Sequence, residues 1–89
     1  MTREHLTDAA ESLRTAAEAA SDNAADRLES QADQFETLAD ADRGPDHGKL
    51  ARHEHVLTEI ADEEGGNVAD HVDTALDSVR AYRETVEGV

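Results

Sequence analysis

Residues 2–41 contain neither glycine nor proline. Within them Leu6, Ala10, Leu13, Ala17, Ala20, Ala24, Leu28, Phe35 and Leu38 recur mostly at steps of three and four. That spacing draws one apolar stripe along an α-helix. The stripe is weakly filled in one place, near Gln31 and Ala32. A single helix of this length would run for about 60 Å at 1.5 Å per residue. No small globule is that wide, so such a helix has to pair along its length with a second one.

The stretch "ADRGPDHG" ends the run. Gly44 suits a left-handed helix C-cap and Pro45 blocks continuation, while Asp46 is placed to cap a following helix. A second apolar series then runs through Leu50, His53, Leu57, Ile60 and Ala61. It resumes beyond "DEEGGNVAD" at Val68, Val72, Leu76, Val79, Tyr82 and Val86. The local chemistry at Gly65 and Gly66 is that of a stop, with Asn67 a suitable N-cap and Asp70 imitating a capping box. The apolar phase nevertheless crosses the glycines in register.

Together these features predict one all-α domain spanning residues 1–89. Its helices cover about 2–42, about 47–64 and about 67–87, with a turn at 43–46. The expected arrangement is a long antiparallel helical hairpin. Its second arm is interrupted at Gly65-Gly66, opposite Ala24 and Ala25, where small residues allow close approach. The alternative is a three-helix bundle with the last helix folded back. A two-helix hairpin encloses no core, so the hairpin reading requires two copies to pair into a dimeric four-helix bundle. Phe35, Leu38, Val56, Leu57, Val72, Val79 and Tyr82 are the candidate contacts.

Composition supports the need for a partner. Hydrophobic residues make up 37% of the 89, about half of them alanine, and Phe35 and Tyr82 are the only aromatics. There is no cysteine to staple the fold. Chains this small are marginal without such help. The charge is extreme: 22 acidic against 8 basic residues, a net −14, with Lys49 the one lysine. Self-repulsion of that size disfavours a compact state in dilute salt. At molar salt the screening length falls to about 3 Å and the penalty largely disappears. Abundant Asp and Glu, scarce Lys and many Ala resemble the proteins of salt-accumulating haloarchaea. With no basic stripe to neutralise phosphates, nucleic-acid binding is not expected. No apolar run approaches a membrane span and the start carries no signal core, so a soluble cytoplasmic protein is expected.

Five histidines, His5, His47, His53, His55 and His71, raise the question of a metal. Ligands on one helix face need spacings of three or four. In "RHEHVLTE", His53 and His55 are two apart and point to different sides, and no HExxH pattern is present. His55 with Glu59 is the one well-spaced pair. A metal-binding or metal-responsive bundle would draw on His53, His55, Glu59 and His71. The plainer expectation is that His53 sits on the apolar stripe as a half-buried polar residue and the rest are solvated. Carboxylate pairs carry little information in so acidic a chain, and no nucleophile motif or phosphate loop occurs. No catalytic residue and no cofactor is expected. A non-enzymatic homodimeric interaction or structural module is.

The segments "PDHGKLARHEHVLTEI" and "VADHVDTALDSVRAYRETVEGV" resemble a family of small uncharacterised acidic haloarchaeal proteins. The closing "VRAYRETVEGV" looks like that family's characteristic end. The resemblance implies a helical fold, a halophilic archaeal source and use of this end, for example in dimer packing. It assigns no activity and hence no site residue.

Overall fold

The computed structural model describes residues 4–40 and 47–85. They form four α-helices: α1 (Glu4–Ala19), α2 (Asp22–Asp40), α3 (His47–Glu64) and α4 (Gly66–Thr85). No strand occurs among the described residues. The longest dimension is 36 Å, against 20 and 17 Å across. That is little more than half of what a straight 40-residue helix requires. Both expected long arms are folded double.

The expected helix over 2–42 is therefore corrected. It breaks at Ala20 and Ser21, and α2 runs back along α1. The amide of Ala20 bonds the Ala17 carbonyl at 3.2 Å, a tightened final turn. The Ser21 carbonyl then accepts from Ala25 at 2.7 Å, which makes Ser21 the N-cap of α2. Ser21, Asp22 and Asn23 all favour caps over helix interiors, because their side chains compete for nearby backbone groups. The remaining cap comes from the far half of the chain. Glu64, the last residue of α3, accepts from the Ser21 amide at 3.0 Å and from its hydroxyl at 3.1 Å. A carboxylate at a helix N-terminus satisfies orphan donors and complements the helix dipole.

The glycine pair is a reversal rather than a hinge. Gly65 alone separates α3 from α4. Its amide closes the last turn of α3 on Ala61 at 2.8 Å, and its carbonyl accepts the first bond of α4 from Ala69 at 3.2 Å. Reversing the chain on one residue takes left-handed backbone, found at both Gly65 (φ 63°) and Gly66 (φ 54°). Only glycine adopts that conformation cheaply. Asn67, expected as the cap, lies inside the first turn of α4, and Gly65 holds the capping position. The three-helix alternative had this fold-back right but kept the first helix whole, so it too is corrected. The turn expected at 43–46 lies outside the described residues.

The result is an up-down-up-down four-helix bundle made by a single chain. Its core is built from Leu6, Leu13, Leu28, Phe35, Leu50, Leu57, Ile60, Val72 and Val79, all fully buried. Helix α1 packs closely against both α2 and α4, and α3 packs against α4. The inward side of α1 explains this. Four of its six buried residues are Ala9, Ala10, Ala16 and Ala17, so two neighbours can approach its backbone. Helices α2 and α3 meet only sparsely. The rings of Phe35 on α2 and His53 on α3 meet on that side of the core. Phe35, Leu57, Val72, Val79 and Tyr82, expected as contacts to a second copy, are instead buried within their own chain. Leu38 and Val56 stay half-buried.

Candidate functional site

Polar groups bridge three seams of the bundle at the surface. Between α1 and α2, Arg14 donates to Glu36 at 2.6 Å and to Asp33 at 2.8 Å, with Glu29 3.6 Å away. Those bonds, Glu36 foremost, raise the guanidinium pKa above its ordinary value. Between α2 and α3, Arg27 reaches Glu63 at 3.1 Å and Glu59 at 4.0 Å. Between α3 and α4, Glu54 accepts from Arg83 at 2.6 Å and from Arg80 at 3.4 Å. The Ser21–Glu64 contact ties the two tight turns together. The flanking arginines of "SVRAYRETV" thus balance a nearby carboxylate, and Tyr82 between them is a core residue.

The α2–α3 seam differs from the others in how sparsely its two helices meet. A cleft of about 290 Å³ opens there, lined by Asp33, Gln34, Thr37, Leu38, Lys49 and His53. His53 is the one buried polar or charged side chain among the described residues, 8% exposed. Its ring lies 4.9 Å from that of Phe35, tilted by 47°. Its Nδ1 is 2.7 Å from Gln31 Oε1 on the opposite helix. A carbonyl oxygen only accepts, so in this orientation Nδ1 carries the hydrogen and Nε2 is the nitrogen that takes up a proton. Burial, then the nearby charges of Lys49 and Arg52, push the imidazole pKa below its ordinary value. His53 is neutral at pH 7. The polar gap in the first apolar stripe, at Gln31, meets the polar residue in the second, at His53. Each satisfies the other.

The candidate metal ligands are not brought together. His55 and Glu59 form an exposed pair one turn apart, Nε2 to Oε2 3.5 Å. His53 faces the seam, and His71 stands half-buried on α4. Among the described residues no group of three or more potential ligands is placed to hold a metal ion. No described helix is long and apolar enough to cross a membrane.

The family assignment follows from the length of the match. The chain belongs to DUF7553, a family of unknown function. The match covers residues 1–85, all four helices. No curated protein and no solved structure matches the chain. The expectation of a family without assigned activity fits this, and no site residue is transferred from it.

Proposed function

We propose that this protein is a non-enzymatic helical module of a salt-rich archaeal cytoplasm, acting through protein–protein contact and forming a homodimer. The observation that carries the reading is how its polar groups are spent. Asp33, Glu36, Glu54, Glu59, Glu63 and Glu64 bridge helices, through Arg14, Arg27, Arg80 and Arg83 or through Ser21. They hold the bundle rather than converge on a reacting centre. The half-buried Leu38 and Val56, on the two helices that meet most sparsely, are the apolar surface offered to a second copy.

Two copies that each carry −14 repel in dilute salt and do so far less at molar salt. Self-association is therefore expected to strengthen as salt rises. Size-exclusion chromatography with light scattering, from about 0.1 to 3 M KCl, is the test. A mass of twice 9.6 kDa at high salt, lost in Leu38→Glu, supports the dimer. A mass of 9.6 kDa throughout the salt range refutes it.

A further inference from the structure

We propose that the α2–α3 seam is the edge at which this bundle opens, and that His53 is the acid-sensitive latch that holds it shut. Three observations converge there. The seam is the most sparsely packed of the four. It already admits a cleft, whose wall includes the His53 ring. The one buried polar side chain among the described residues lies in it and bonds across it to Gln31.

The charged surroundings decide the sign. From its own helix, His53 faces Lys49 in the cleft wall and Arg52 beside it in sequence. Glu54 is the neighbouring carboxylate on α3, and it is engaged on the far side by Arg80 and Arg83 of α4. From α2, Asp33 lines the cleft, but Arg14 holds it at 2.8 Å. Helices α1 and α4 contribute no described residue to the cleft wall. A proton on Nε2 would thus add a positive charge at a buried position, near those of Lys49 and Arg52. Water relieves that charge if α2 and α3 part. The Ser21–Glu64 contact at the other end and the close α1–α4 pairing keep the rest together, so opening is local.

Because the closed form binds the proton less readily than an exposed histidine does, the latch is fully effective above about pH 6.5. It weakens as pH falls below that value. One proton taken up per opening raises the opening constant by at most about tenfold per pH unit within the window.

The test uses the full chain in molar KCl. Imidazole NMR titration is combined with amide hydrogen exchange between about pH 5 and 7.5, corrected for the intrinsic rate. We expect His53 to titrate below the ordinary imidazole value of about 6.5. We expect amides of α2 and α3 to lose protection on acidification while those of α1 and α4 keep theirs. In His53→Gln the extra acid sensitivity should vanish. Titration of His53 at or above about pH 6.5 overturns the proposal. So does equal acid sensitivity of all four helices, or its persistence in His53→Gln. If that variant does not fold, the wild-type comparison of the two helix pairs still decides.

Discussion

Replacing both Gly65 and Gly66 with alanine puts a sign on the architecture. If α3 and α4 formed one nearly continuous arm, each glycine would sit in a helix interior. Alanine would then stabilise by about 1 kcal/mol per site, about 2 in all. In the folded-back bundle both residues have positive φ, 63° and 54°. A Cβ there costs roughly 1–2 kcal/mol per residue against the backbone. The loss is offset by about 0.4–1 kcal/mol per site from restricting the unfolded chain. No heavy atom lies within 4 Å of a Cβ built at either position, so steric clash adds nothing and the effect is purely conformational. The double variant should therefore lose about 1–2 kcal/mol. For a chain of this length that corresponds to a melting temperature lower by roughly 4–16 °C, at about 4–8 °C per kcal/mol. Urea unfolding followed by circular dichroism at fixed molar KCl measures it. D-alanine at both positions, introduced by chemical synthesis, should recover most of the loss because its preferred φ is positive. A double variant more stable than the wild type by 1 kcal/mol or more would refute the reversal at Gly65 and restore the extended arm.

The other consequences concern the turn that follows α1 and its buried face. Glu64→Ala removes the carboxylate that caps Ser21 and should cost about 1 kcal/mol, as cap losses do. Thermal melts at constant salt would show it, and a cost within 0.2 kcal/mol of zero would mean that the two turns are not tied. Ala9→Leu inserts a branched side chain at a fully buried position of α1. It should destabilise by about 1–3 kcal/mol through overpacking, whereas a helix with a single stripe, on which Ala9 stood outside the apolar line, would tolerate it. Chemical denaturation distinguishes the two.

The helical character and most of the core were legible in residue spacing. Leu6, Leu13, Leu28, Phe35, Leu57, Val72 and Val79 all stand where the two stripes put them. The break at Ser21 was not, because that turn needs no special residue. Among the described residues no non-glycine residue has positive φ, so glycine and proline were absent from the one place where their absence misled. The available signal was the run Ser21-Asp22-Asn23, three cap-favouring residues in succession. Phase continuity across Gly65 and Gly66 could not separate a bend from a reversal, since in both arrangements the two segments turn their apolar faces to the same core. Burial of Ala9 and Ala16 was missed for a related reason. A helix packed on two sides buries a wider arc than one stripe. At the candidate site, His53 was legible as a polar residue on an apolar line. Its partner Gln31 and the cleft depend on which helices are neighbours, which spacing does not encode.

The pairing of α1 with α4 has a consequence for the order of events in the cell. Helices α1 and α2 are joined by a two-residue turn, as α3 and α4 are by one residue, so each half can collapse soon after it leaves the ribosome. The alanine-rich side of α1 that receives α4, however, has no cover until α4 has been made. Val68, Val72, Ala75, Leu76, Val79 and Tyr82, the residues that complete the core, all lie in the last quarter of the chain. The nascent protein must therefore hold an exposed apolar strip until α4 has emerged. That strip is narrow and built largely of methyl groups, which limits how strongly it can stick to anything else while it waits.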